Sequence, residues 1–215
     1  MRSQSRRLAP QKSERKANQF AGLHPSEANR NSRKNGSEIM PRMVWMPGGR
    51  LLDYSQNAVQ DVIDLFREET GERYAEASVR HLPIPEWDAN LVLVDAEQEP
   101  PRKIEGVFFG TPFKEDIVRI AAFVIAKKHQ GQAHGSRAWL RFNKEAWNKG
   151  FRHVQLEVKA ENVRAQHFYA QRGLSVLQEL DGYYQSGKGY MMRGPLAPVS
   201  DEEELFTSDP SSTHD

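Results

Sequence analysis

Apolar positions along the chain switch repeatedly between a period of two and a period near 3.6, which predicts strands alternating with helices. Met43 to Leu52 reads as a first strand, and Val59, Val62, Leu65 and Phe66 fall on one face of a helix from about Gln56 to Glu69. Beyond a loop holding Pro83 and Pro85, Leu91 to Val94 form a strand, and Glu99-Pro100-Pro101-Arg102 turns the chain into another, Ile104 to Phe109. Ile117 to Ala126 is apolar on both pleats, with Val118, Ile120, Ala122 and Val124 set against Ile117, Ala121, Phe123 and Ile125. A strand covered on both faces reads this way, so it is expected at the centre of a sheet. Ser136 is placed to cap a helix with Ala138, Trp139, Phe142, Ala146 and Trp147 on its apolar side and Gly150 at its end. From His153 to Lys159, Val154, Leu156 and Val158 alternate with Gln155, Glu157 and Lys159; Asn162 then caps a helix that turns Ala165 and Phe168 inward and ends at Gly173. Closing strands, about Ser175 to Leu180 and Tyr190 to Arg193, flank a loop rich in Gly and Tyr. The order predicts one α/β (α+β) domain, a mixed central sheet of about six to seven strands with helices on both faces.

Composition adds two tails to that core. The 215 residues carry a net charge of +1, but the first 40 hold nine Lys/Arg and three Asp/Glu, while residues 200 to 215 hold six acids and no Lys or Arg. The near-neutral total is a basic head and an acidic tail cancelling across a neutral core, which fits a mean hydropathy of -0.74. Residues 1–40 are therefore read as a disordered basic arm, 41–196 as the folded domain and 197–215 as a disordered acidic tail, since neither end buries enough apolar surface to offset its ordering entropy. Arg2, Arg6, Arg7, Lys12, Arg15 and Lys16 are suited to phosphates of RNA or a ribosome, whereas a solvated arm without a partner is the plainer reading. A transit peptide lacks its apolar helical face here, and an over-extended start is a further explanation, because Met40 and Met43 open the apolar pattern.

Zero cysteines exclude a disulfide framework, a thiol nucleophile, a Cys-containing zinc site and an iron–sulfur cluster. No apolar run approaches the ~20 residues needed to cross a bilayer, so no membrane partner is expected and a cytoplasmic location is the simplest one. His129 and His134 lack acidic or Cys neighbours at ligand spacing, and no metal is expected; they read as solvent-exposed loop residues.

The junction Ile125-Ala126-Lys127-Lys128-His129-Gln130-Gly131-Gln132-Ala133-His134-Gly135-Ser136 carries the candidate chemistry. A strand passing through a loop into a helix start offers unpaired N–H groups and the positive end of a helix dipole, which favours a phosphate. It is neither a Walker A loop, since Ser136-Arg137 stands where Lys-Ser/Thr belongs, nor a Rossmann fingerprint. Read with its flanks, Phe123-Val124-Ile125, Gln130-x-x-Ala133-x-Gly135, Leu156-Glu157-Val158 and Asn162-x-x-Ala165-x-x-Phe168-Tyr169-x-x-x-Gly173, the chain resembles the GCN5-related N-acetyltransferase (GNAT) superfamily over roughly residues 43 to 195. Tyr183-Tyr184-x-x-Gly187-x-x-Tyr190-Met191-Met192 is similar to the final loop and strand of the ribosomal-protein-alanine and N-terminal protein acetyltransferases.

The resemblance implies acetyl-CoA as cosubstrate. The backbone of Phe123, Val124 and Ile125 would pair with the pantetheine arm in a splay between central strands. The segment Gln130, Gly131, Gln132, Ala133, His134, Gly135 and Ser136 would hold the pyrophosphate, and Asn162 would contact the cofactor further along. It also implies Glu157 as general base and Tyr169 as general acid in direct transfer to a primary amine, and it points to a protein or peptide N-terminal α-amine. Tyr183 and Tyr184 are the candidates for contacting the acceptor. The family usually has glycine where Ala133 stands; if that position needs positive φ, alanine costs about 1 kcal/mol or more. A small-molecule amine such as an antibiotic, polyamine or amino acid, or a non-catalytic module docking on RNA through its arm, are the rival readings.

Overall fold

The computed structural model describes residues 41–48, 57–80, 87, 89–184, 187–200 and 202–203. The expected basic arm and all but a few residues of the acidic tail lie outside them. The strands are β1 (Met43–Pro47), β2 (Leu91–Asp95), β3 (Gly106–Lys114), β4 (Ile117–Ile125), β5 (His153–Lys159), β6 (Ser175–Tyr184) and β7 (Gly187–Pro195). The helices are α1 (Ala58–Thr70), α2 (Glu76–Arg80), α3 (His134–Asn148) and α4 (Val163–Ala170). They build one mixed sheet in the order β1-β2-β3-β4-β5-β7-β6, with β4 and β5 parallel and every other pair antiparallel. The doubly apolar β4 is the central strand, as its pattern requires.

Helices cover both faces of the sheet except along the edge strand β6, whose residues are mostly exposed. Ala58, Val59, Val62 and Leu65 of α1, with Val79 of α2, pack on Val92, Val107, Phe109, Ala122 and Val124. On the other face Ala138, Trp139, Phe142 and Ala146 of α3, with Tyr169 of α4, cover Leu91, Phe108, Val118, Ile120, Val154, Leu156 and Met192. Fully burying a side chain such as Phe142 or Leu156 contributes about 1.5–3 kcal/mol.

Two features of β4 depart from a plain alternation. Its register against β3 shifts by one residue between Phe109/Gly110 and Ala122/Ile120, a bulge that leaves Ala121 over. Val118 and Ile120 therefore face α3, whereas Ala122 and Val124 face α1; read as simple alternation, the four would share a side. The Gly110 N–H at the bulge donates to Asn90 Oδ1 at 2.8 Å, and a Cβ on Gly110 would lie 2.5 Å from the Phe142 ring, so glycine is required by packing there. The second departure is at β5: pairing runs only from Ile117–His153 to Ile120–Leu156 and then stops. From Ala121 onward the two strands part.

Several elements differ from the sequence reading: the strand expected at Ile104 to Phe109 is β3, which runs on to Lys114, and α2 has no counterpart in that reading. The first strand ends at Pro47, and residues 49–56 lie outside the described set. Helix α3 is capped at Ala133, three residues before the expected Ser136, because Ala133 in the left-handed region sets its N-cap. The Gly- and Tyr-rich segment is mostly strand: β6 reaches Tyr184 and β7 begins at Gly187, with Tyr184 opposite Gly187. A register shift between Leu180 and Tyr184, with Gly182 at φ 66°, absorbs the extra residues, so pairing overrides composition.

Candidate active site

Where β4 and β5 part, a cleft opens with two connected chambers of about 510 Å³ each, both lined by Phe123, Val124, Asn162 and Tyr169. Chambers of this size suit a substantial ligand. The first runs along Phe123 to Ile125 and past Gln130, Gly131, Ala133, Gly135 and Ser136 to Arg164 on α4. The second is bounded by Glu157 and Lys159 of β5, Glu72 and Tyr74 after α1, and Tyr184 at the end of β6.

The loop of the first chamber is built by backbone geometry. Gly131 has φ 78° and Ala133 φ 61°; Ala133 is the one non-glycine residue with positive φ among those described. The turn thus requires the conformation in which alanine is strained by about 1–2 kcal/mol. The Gln130 amide nitrogen donates to the Ile125 carbonyl at 2.8 Å and its oxygen accepts from Arg164 Nη1 at 2.8 Å. Glu69 at the end of α1 accepts from the Lys127 N–H at 2.7 Å and from the Gln130 amide at 3.3 Å. Ser136 Oγ accepts from Arg172 Nη2 at 3.0 Å, and Asn162 Oδ1 accepts from the Ala165 N–H at 3.0 Å as the N-cap of α4. The side chains of Gln130, Ser136 and Asn162 are therefore engaged with protein partners, and what the loop leaves for a ligand is chiefly peptide N–H groups near the start of α3.

The second chamber is built by side chains. Glu157, on the polar pleat of β5, has its side chain 10% exposed; its Oε2 accepts a hydrogen bond from Arg119 Nε at 2.8 Å and lies in ion-pair contact with Arg119 Nη2 at 2.6 Å. Arg119 Nη2 also donates to the Tyr183 hydroxyl at 3.0 Å. Burial works against the Arg119 charge, but the bond to Glu157 and its negative charge outweigh this and hold the guanidinium above its ordinary range. Lys159 Nζ pairs with Glu72 Oε1 at 2.7 Å and donates to the Thr70 carbonyl at 2.7 Å; it sits 5.6 Å from the Tyr184 ring centre. Burial pushes the Tyr169 phenol well above its usual value, as it does that of Tyr184. Tyr169 carries its proton at neutral pH.

The Acetyltransferase (GNAT) family matches residues 59–174, more than half of the chain. This protein belongs to that family. The acetyltransferase also resembles solved structures along nearly their whole length. A chain from the NatC complex bound to Gag peptide and CoA is 16% identical, with a TM-score of 0.61 over 73% of this chain and 99% of that one. Ard1 from Thermoplasma volcanium is 20% identical, with a TM-score of 0.59 over 72% and 98%. The ribosomal-protein-S18-alanine N-acetyltransferase from Escherichia coli is 15% identical, with a TM-score of 0.55 over 75% and 97%. At such identities the likeness establishes the fold. No curated protein matches the sequence.

Most of the residues singled out in the sequence meet at this cleft. Phe123, Val124, Ile125, Gln130, Gly131, Ala133, Gly135, Ser136, Asn162 and Tyr169 line the first chamber, and Glu157 and Tyr184 line the second. Three do not line it. Gln132 is exposed and donates to the Lys128 carbonyl, Tyr183 is 49% exposed behind Glu157, and His134 is buried.

The two histidines correct the sequence reading, which made them solvent-exposed: each is 6% exposed, with rings 6.4 Å apart and perpendicular. Burial lowers the pKa of both, and His129 Nε2 has no hydrogen-bond partner. Among the described residues no cluster of three or more His, Asp or Glu side chains is arranged to hold a metal ion, and no described helix is long and apolar enough to cross a membrane.

Sequence reading missed Glu69, Arg164, the Glu72–Lys159 pair and Arg119. Arg119 alone carried a signal: a single charge inside an otherwise apolar strand needs a partner once both faces are covered.

Proposed function

We propose that this acetyltransferase moves an acetyl group from acetyl-CoA directly to a primary amine, with the α-amine of a protein or peptide N-terminus as the acceptor. The observation that carries this reading is the parting of β4 from β5 after Ile120–Leu156, which leaves the Ala121–Ile125 edge without a strand partner in the cleft. An extended amide-bearing arm fits such an edge as an added strand does. The positive-φ loop from Gly131 to Ala133 and the start of α3 suit a pyrophosphate through their N–H groups. Arg164, beside Gln130, adds a cation at that end of the cleft.

Acetyl-CoA supplies an activated acetyl thioester; the rest of the chemistry belongs to the chain. Glu157 takes a proton from the acceptor ammonium through Oε1, which has no hydrogen-bond partner among the described residues. The amine nitrogen then bonds to the acetyl carbon as the bond from that carbon to sulfur breaks; Tyr169 donates its proton to the departing sulfur, and the second proton on the new amide nitrogen leaves to solvent, from which the tyrosine regains its own. A backbone N–H near Val124 or Ile125 stabilises charge on the carbonyl oxygen. No acyl-enzyme is needed, which accords with a chain that has no cysteine.

A peptide acceptor is favoured by the second chamber, open between the segment after α1 and the end of β6. Structures of like fold include the NatC complex bound to Gag peptide and Arabidopsis thaliana NAA60 with a bisubstrate analogue. The test is thiol release from acetyl-CoA with a panel of N-terminal peptides and small amines, alongside calorimetry for cofactor binding. Turnover on peptides is expected. Preference for a small amine over every peptide would redirect the acceptor class, and neither binding nor turnover would sink the reading.

A further inference from the structure

The position of Arg119 at the fork of the sheet suggests a role beyond closing an ion pair. Arg119 sits one residue before the last β4–β5 pair, Ile120–Leu156, and Glu157 one residue after it on the opposite strand. The side-chain bridge between them spans the point where the strands part. The hydrogen bond from Arg119 Nε and the ion-pair contact of its Nη2 both fall on Oε2 of Glu157, so the carboxylate has one oxygen fixed and Oε1 without a hydrogen-bond partner among the described residues. Glu157 lines the cleft and Arg119 does not, so the guanidinium contacts the carboxylate from outside the cleft wall. The same Nη2 reaches the Tyr183 hydroxyl, tying the arrangement to β6.

Resting on the reading above, we propose that Arg119 is a positioning residue. By holding Oε2 it fixes the Glu157 carboxylate and presents Oε1 to the acceptor nitrogen, with Tyr183 bracing the guanidinium from β6. A charge-assisted hydrogen bond from Nε and an ion-pair contact from Nη2, both on one oxygen, restrict the rotation of the carboxylate. Proton transfer depends steeply on such geometry, because a displacement of about 1 Å is enough to cost about 100-fold in rate. Lysine, a point charge with a different reach, can replace the charge but not the fork that engages Glu157 and Tyr183 together.

The experiment is a double-mutant cycle in the full chain, with kcat, KM for the acceptor, Kd for acetyl-CoA and Tm measured on each variant. Arg119→Met is expected to lower kcat by about 10–100-fold, with KM for the acceptor and Kd for acetyl-CoA changed by less than about threefold. Arg119→Lys recovers part of the loss. Tyr183→Phe, which keeps the ion pair, lowers kcat by about two- to fivefold without moving Tm and serves if Arg119→Met does not fold. In a Glu157→Gln background Arg119→Met adds less than about twofold, because it acts through the carboxylate. An active wild type with Arg119→Met at wild-type kcat, or an equal loss in the Glu157→Gln background, overturns this inference and leaves the acetyl-transfer reading standing. A wild type that binds acetyl-CoA and turns over no amine overturns both.

Discussion

The two chambers of the cleft are made of different material. The one beside the loop is contiguous in sequence and largely backbone: Phe123 to Ile125, the turn at Gly131 and Ala133, and the start of α3, braced by Glu69 and Gln130. The one beside Glu157 is assembled from side chains on separated elements, with Glu157 and Lys159 on β5, Glu72 after α1 and Tyr184 on β6 in its wall, and with Arg119 on β4 and Tyr183 on β6 bracing Glu157 from outside it. A peptide N–H survives any substitution except proline, so the first chamber tolerates sequence change. The second depends on ion pairs whose members are removed one mutation at a time. On the proposed function, the half assigned to the acceptor is therefore the easier to alter, and the half assigned to the cofactor the easier to recognise.

The sharpest way to separate the halves is Glu157→Gln. It is expected to lower kcat by about 100- to 10,000-fold, the range of a lost general base, while calorimetry finds acetyl-CoA affinity within about twofold of wild type. A matching loss of affinity would mean that the chambers do not act separately.

Lys159→Met tests the second chamber through stability. It leaves the Glu72 carboxylate, 12% exposed, without its cation, and a shift in urea midpoint worth about 3 kcal/mol is expected. No shift would show the pair to be dispensable.

Ala133→Gly probes the first chamber in the opposite direction. Relief of positive-φ strain should stabilise the protein by about 1 kcal/mol, and for a chain of this size raise Tm by about 2–4 °C. A lower Tm would place the strain elsewhere.

The smallest effect is a pH dependence from the two loop histidines: His129, in the wall of the first chamber, feels the charges of Glu105, Lys128 and Asp95, and His134, buried beside it, those of Arg137 and His129. Burial lowers both pKa values below the ordinary 6.5, so the unfolded chain takes up protons that the folded one does not. Their contribution to stability is full above pH 6.5 and is lost as pH falls toward the folded values. Urea midpoints should decline over that window and flatten in His129→Phe; an unchanged slope would remove His129 from the account.

Most helices and strands were legible because each is announced by its own periodicity, as in Val154, Leu156 and Val158 or in Val59, Val62 and Leu65. Local chemistry was legible for the same reason: the Asn162 cap and the strain at Ala133 concern bonds within a few residues. The bulge at Ala121 and the strand character of Asp181 to Tyr184 were not, because both are set by pairing with a neighbouring strand. The burial of His129 and His134 escaped too, since hydrophobic pattern says little about a polar ring tucked under a loop.

Legible in the order of residues alone were the succession of elements, the doubly covered central strand, the loop that leads into α3 and the family these motifs belong to. Those are properties of contiguous residues, fixed by backbone preference and by which faces must leave water. Tertiary structure alone decided that β4 and β5 part after Ile120–Leu156, that Arg119 spans the fork to Glu157 and reaches Tyr183, and that Glu72 meets Lys159. Arg119 and Glu157 lie 38 positions apart and Lys159 and Glu72 lie 87. Only strand order and register bring such side chains within bonding distance.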